Sequence, residues 1–163
     1  VKLSGVVQDN QGNAPDGQIS VELPTNVGFT VDKNGTVLTA GNGVYNVSNK
    51  GKNDISIHVT EFVETDPNGI TVRSSTDLTN DISSRQRYDR SNISLTLTGD
   101  NGNTVDLGQV KSDRQERKLF DIVPAGGTAS MTLTGVAGNK QEQSVDDNGV
   151  SERFVVKFKV TKN

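Results

Sequence analysis

The sequence predicts an all-β fold, an antiparallel β-sandwich of jelly-roll or immunoglobulin-like type. Three observations lead there. Apolar and polar residues alternate in short runs from end to end. The runs are rich in Val, Ile and Thr, which suit a pleated, half-buried surface. Asn-Gly pairs punctuate the chain at Asn34-Gly35, Asn42-Gly43, Asn68-Gly69, Asn101-Gly102 and Asn148-Gly149. Both residues tolerate the positive φ that tight hairpin turns require.

The elements follow in order. Val1, Leu3, Gly5 and Val7 alternate in the first segment, and Ile19, Val21 and Leu23 in the second. Pro24 marks a strand end or bend because it cannot donate within a ladder. Val27, Phe29 and Val31 come next, then a short run from Val44 to Val47. The longest run is Ile55, Ile57, Val59, Glu61 and Val63. Ile93 to Leu97, Val105 with Leu107, Leu119 to Val123 and Ala129 to Leu133 continue the pattern, and Phe154 to Val160 closes it. Residues 73–92 lack alternation. Leu78 and Ile82 lie four apart there, which admits a short surface helix within 76–90, capped by Thr76 or Asp77. Lys111 to Lys118 reads as an exposed strand edge or loop, and Asn139 to Asn148 as a third polar surface stretch. No fixed-period solenoid repeat is present.

The chain has 163 residues, 17 Lys and Arg, 20 Asp and Glu, one His and no Cys or Trp. That length suits one domain, with residues 1–17 as an N-terminal strand and flexible linker and 18–163 as a single β-sandwich domain. The missing cysteine excludes a disulfide framework, a thiolate metal site and a Cys nucleophile. The net charge of −3 argues against nucleic acid as a partner. No apolar run approaches the roughly 20 residues of a membrane span. Only 31% of residues are hydrophobic, but a thin two-sheet core needs only alternate positions. The chain begins at Val1 rather than Met, which a removed signal peptide would explain, as would trimming. An extracellular or cell-surface location is the expectation.

Little points to chemistry. His58 reads as a half-exposed strand residue sharing its face with Ser56, Thr60 and Phe62, opposite Ile55, Ile57 and Val59. As a catalytic or pH-sensing imidazole it lacks a Gly-x-Ser-x-Gly partner element. Three acidic clusters invite a calcium reading: Asp9-Asn10 with Asp16, Asp100 with Asn101 and Asn103, and Asp146-Asp147-Asn148. None matches the EF-hand spacing, and Asp and Asn are ordinary turn residues. Arg85, Arg87 and Arg90 with Tyr88 could grip an anionic polymer, but Asp81 and Asp89 dilute them, which favours a solvated surface. With only Tyr45 and Tyr88, aromatic platforms for sugar are scarce. Lys–Asn isopeptide bonds are open, with Lys2, Lys157 and Asn163 among many candidates. The expectation is therefore no enzyme, no catalytic or metal residues and no cofactor.

The N-terminal segment is the most suggestive. Val1, Leu3 and Val7 give an apolar strand face, and Gly5 would permit close approach to an acceptor core. Gly12, Pro15 and Gly17 mark the linker behind it. A tethered terminal strand can dock in its own sheet or add to a neighbour's. From the residues alone the ordinary first strand is favoured, since most terminal strands pair at home.

Several stretches resemble a known family. They are Ile19-Ser-Val-Glu-Leu23, Val44-Tyr-Asn-Val-Ser-Asn-Lys-Gly51, Asn53-Asp-Ile-Ser-Ile-His-Val59, Ile122-Val-Pro-Ala-Gly-Gly127, Ser130-Met-Thr-Leu-Thr134 and Phe154-Val-Val-Lys-Phe-Lys-Val160. Together they are similar to the TasA/camelysin group of secreted biofilm matrix fibre subunits, its clostridial surface-appendage members most closely. The resemblance covers most of the chain as a pattern. It implies a jelly-roll-like sandwich, secretion with signal-peptide removal, and extracellular fibres in which an N-terminal strand is donated to the adjacent subunit. That role maps onto Val1 to Val7 and moves strand donation ahead. The metalloprotease activity described for camelysin-type members is not carried over, because His-Glu-x-x-His is absent. The expected partners are copies of the chain and a cell-surface anchor protein. The alternative is a monomeric cell-surface β-sandwich that binds a glycan or host protein.

Overall fold

A computed structural model of the protein describes residues 2–11, 21–22, 27–31, 37–39, 44–66, 69–140 and 153–163. It is an all-β sandwich of two packed sheets. The strands are β1 (Lys2–Gln11), β2 (Val21–Glu22), β3 (Val27–Val31), β4 (Val37–Thr39), β5 (Val44–Asn49), β6 (Ile55–Asp66), β7 (Thr71–Arg73), β8 (Asn92–Gly99), β9 (Thr104–Asp106), β10 (Arg117–Val123), β11 (Thr128–Ala137) and β12 (Arg153–Lys162). Two short helices interrupt them, α1 (Ile82–Arg85) and α2 (Leu107–Asp113). The first sheet runs β10-β6-β12-β1-β3-β4; the second runs β2-β5-β11-β8-β7, with β9 also paired to β8.

Antiparallel ladders dominate, as the Asn-Gly turns predict. Two pairings are parallel, β1 with β12 and β7 with β8. Neither pair is joined by a tight turn, so hairpin geometry imposes no direction on them.

The core lies between the sheets. Ile55, Ile57 and Val59 of β6 and Phe154, Val156, Phe158 and Val160 of β12 face Leu95 and Leu97 of β8 and Met131 and Leu133 of β11. Each large side chain removed from water contributes about 1.5–3 kcal/mol. The alternation of β6 does not run through unbroken. The β12 register passes from Lys157 opposite Glu61 to Phe158 opposite Val59, so Thr60 is an extra residue. Its hydroxyl donates to the Lys157 carbonyl at 3.2 Å. A bulge inserts one residue and flips the faces beyond it. Phe62 therefore turns into the core at 4% exposure, whereas Val63, expected inward, is only half-buried. Phe62 meets Phe154 with ring centroids 5.1 Å apart.

The polar stretches depart further from expectation. A helix does fall within 76–90, but α1 starts at Ile82, and its N-cap is Asp81 rather than Thr76 or Asp77. Of Lys111–Lys118, the first three residues belong to α2, which is neither strand nor loop, while the rest is loop and the start of the end strand β10, as expected. The Asp106 carboxylate accepts from the amides of Gly108 and Gln109 and starts the helix. Leu107 and Val110 bury its inner face, so Leu107 does not continue the strand of Val105. Of the third polar stretch, Asn139 and Lys140 are described, and 141–150 lie outside the described residues.

Candidate functional site

β1 occupies the middle of the first sheet and changes partner along its length. Lys2 to Gly5 pair antiparallel with Thr30 to Val27 of β3. Val6 to Gln11 pair parallel with Val155 to Val160 of β12. Leu3 is registered opposite Phe29, Gly5 opposite Val27, and Val7 opposite the buried Val156. Val1 and the linker residues Gly12, Pro15 and Gly17 lie outside the described residues. The strand extends past Val7 to Gln11, so Asp9, Asn10 and Gln11 sit in the ladder opposite Phe158, Lys159 and Val160. Without β1, β12 would present an unpaired edge over Val155–Val160 and β3 one over Val27–Thr30, and among the described residues the β3–β4 hairpin would lose its ladder link to β12.

The far edge of that sheet is blunted. Among the described residues β10 pairs with β6 alone, and its ladder carries two register shifts. The Leu119 carbonyl accepts from Asn101 Nδ2 at 3.1 Å and Asn103 Nδ2 at 3.2 Å, and the Asp121 carbonyl accepts from Asn163 Nδ2 at 3.2 Å. Bulges and side-chain caps of this kind deter edge-to-edge pairing.

His58 sits on the outer face of β6, registered opposite Lys118 on β10 and Lys159 on β12. Its Nε2 lies 3.9 Å from Glu116 Oε1, while Nδ1 is buried without a hydrogen-bond partner. Glu116 Oε2 also lies 3.7 Å from Lys159 Nζ. This is a half-buried strand imidazole in a row of charges. Phe62 does not share its face, because the Thr60 bulge intervenes.

The remaining candidates are tied into the fold. Asp100 Oδ2 accepts from the Ser130 amide at 2.9 Å, and Asn101 and Asn103 spend their amides on Leu119. That calcium candidate is a turn. Asp9 and Asn10 lie in β1, and Asp16 and 146–148 are outside the described residues. Among the described residues no three His, Asp or Glu side chains gather to hold a metal ion. The basic cluster is solvated only in part: Arg87 is exposed, but Arg85 Nε donates to the Ala137 carbonyl at 3.1 Å, Arg90 is 7% exposed, and Arg73 stacks 4.2 Å from the centre of the Tyr88 ring. Lys157 Nζ pairs with Glu61 Oε2 at 2.9 Å, so Lys157 and Asn163 have separate partners. No helix among the described residues is long and apolar enough to cross a membrane.

Two features escaped the sequence reading. Strands β5, β8 and β11 contain no Asp, Glu, Lys or Arg, whereas β6, β10 and β12 carry many. The sequence displays this contrast, but only the sheet order places β5, β11 and β8 side by side as an uncharged centre of the second sheet. The second feature is a groove of about 390 Å³ on these uncharged strands, between them and residues 75–80. No known family model matches the chain, and no curated protein matches it.

Proposed function

We propose that the chain is a non-enzymatic structural subunit of an extracellular, biofilm- or pilus-like fibre. It polymerises by donating its N-terminal strand to the adjacent subunit. The position of β1 carries this reading. β1 fills a slot that β12 borders along Val6–Gln11 and β3 borders along Lys2–Gly5, and it is the ladder link between the β3–β4 hairpin and β12. A neighbour's copy of the same residues can make the same backbone hydrogen bonds in that slot, so exchange conserves the interactions it breaks. Passed on head to tail, such a contact does not close and gives a filament. The blunted β10 edge supports strand insertion over edge-to-edge stacking. The fibre base would meet a cell-surface anchor protein.

The alternative is a monomeric surface module that binds a glycan or host protein. Its supporting observation is the same strand lying in its own sheet. One experiment separates the two. Gln8 and Lys157 are registered partners across β1 and β12, and the chain has no native cysteine. In Gln8→Cys/Lys157→Cys, neighbouring strands bring the two Cα atoms within disulfide reach. Strand donation predicts filaments in electron micrographs that oxidise to a reducible covalent ladder. A permanently monomeric module predicts an intramolecular bond and no filaments. Filaments that yield only internally bonded chains, or no filaments under any assembly condition, would sink the donation reading.

A further inference from the structure

The groove on the uncharged strands is the strongest unexplained feature. Its floor is the outer surface of β8 and β11, where Thr96 and Thr134 are direct cross-strand partners and Ser94 is registered opposite Val136. Its wall is the segment around Leu78 and Asn80. At 390 Å³ it falls in the size range of small-molecule sites.

The wall is pre-formed. Leu78 is fully buried, and its carbonyl accepts from Ser94 Oγ at 3.0 Å. Ser84 Oγ accepts from the Thr79 amide at 2.9 Å and donates to the Asp77 carbonyl at 3.1 Å. Ser75 is held through both its amide and its hydroxyl by Asp106 Oδ2, each at 2.7 Å. That carboxylate also caps α2, so its charge is already engaged. None of the residues lining the groove is charged. The side chains of Thr96, Thr134 and Asn80 make no hydrogen bond among the described residues.

The chemistry narrows the occupant. β8 is paired on both sides, by β11 and by β7 and β9, whereas β5 covers β11 only over Thr128–Thr132. A peptide therefore cannot add to β8 as a strand at the groove. An ion finds no counter-charge. What the groove presents is neutral hydroxyl and amide groups beside the aliphatic surface of Val136. That combination suits a ligand whose rim is hydroxyl and whose faces are C–H. We propose that this groove is a binding site for a neutral saccharide. It has no aromatic floor: Tyr88 is stacked by Arg73 and Tyr45 packs against the core. Affinity is therefore modest, about millimolar.

Amide chemical shifts of the full-length chain, titrated with maltotetraose and separately with chitotetraose, test this. The expected result is saturable shifts centred on Thr96, Thr134 and Asn80 with at least one probe. Thr96→Val/Thr134→Val keeps the side-chain shape and removes both hydroxyls. It should weaken binding about tenfold or more. Thr132→Val, on the same face outside the groove, should bind like the parent chain. Three results would overturn the proposal: no saturable shift with either probe, shifts centred elsewhere, or parental affinity in the double variant. Tighter binding of the acidic oligomer tetragalacturonate than of both neutral probes would overturn the neutral assignment.

Discussion

Asn49 shows how much a single side chain can hold. It is fully buried at the end of β5. Its Nδ2 donates to the carbonyls of Asn53 at 2.8 Å, Val123 at 2.9 Å and Pro124 at 3.1 Å, and its Oδ1 accepts from the Gly51 amide at 3.0 Å. It thus staples the second sheet to the end of β10 in the first. Asn49→Ala would strand these groups away from water, at a cost of about 3 kcal/mol. Urea unfolding of the variant should show that loss; a change below about 0.5 kcal/mol would mean the network is dispensable. Asn49→Asp should be at least as damaging, since it replaces the donor by an acceptor facing three carbonyls. In the sequence, Asn49 looks like one more turn asparagine. Its partner Val123 is 74 residues away, and no local pattern announces such a contact. Phe62 was misread for a related reason: the Thr60 bulge is a property of the β6–β12 pairing, and periodicity within β6 alone cannot display it.

Among the elements, α2 and the excursion between β7 and β8 were the hardest to foresee. The helix signal was present in Asp106 followed by Leu107 and Val110, a cap before an i, i+3 apolar pair. The charged run Lys111–Lys118 and the apparent strand alternation of Val105 and Leu107 outweighed it. At the end of the helix, the Asp113 carboxylate accepts from the Arg117 guanidinium and from the Gln115 amide. The Arg117 hydrogen bond, with the Gln115 amide second, holds its pKa below the usual aspartate value. A lowered folded-state pKa means the contribution is present above the unfolded value and is lost as pH falls through the folded one. A carbon-detected titration should find the Asp113 midpoint below that of an unstructured aspartate, and Arg117→Gln should move it back up. The excursion itself is pinned from the other side. Gly138 passes so close that an added Cβ would lie 2.2 Å from the Asp89 carbonyl oxygen and 2.4 Å from that of Tyr88. Gly138→Ala should cost at least about 2 kcal/mol or push the excursion away. Hydrogen exchange at the Leu78 and Thr79 amides reads which occurs; unchanged protection together with unchanged stability would refute the close fit.

At the scale of the molecule, the first sheet is continuous only because β1 bridges it. Deleting residues 1–11 should lower the thermal midpoint sharply, since it unpairs one side of β12 and of β3 together. A synthetic peptide of residues 2–11 should restore much of the loss by filling the slot from outside. A deletion that melts like the full chain, or one that the peptide does not rescue, would show that β1 is not integral to the sheet. Charge is arranged on the same scale. Lys157 with Glu61 and Lys111 with Glu64 line the first sheet with ion pairs at 2.9 Å, while the second sheet turns hydroxyls outward. Such exposed pairs contribute little to stability and weaken with salt. The contrast leaves the three central strands of the second sheet, β5, β11 and β8, without a charged residue.

The sequence by itself determined the all-β sandwich, most strand positions and the alternate residues that form the core. These follow from local rules: side chains alternate every second residue, β-branched residues favour the pleat, and Asn-Gly permits the turns. It also showed the shortage of catalytic inventory, because composition needs no fold. Only the tertiary structure decided the strand order, the parallel docking of β1 against β12, the phase change at Thr60, the burial of Asn49 and the uncharged groove. Each of these depends on which distant segments meet, and pairings across a hundred residues are set by the global fit of two sheets, which local periodicity does not encode.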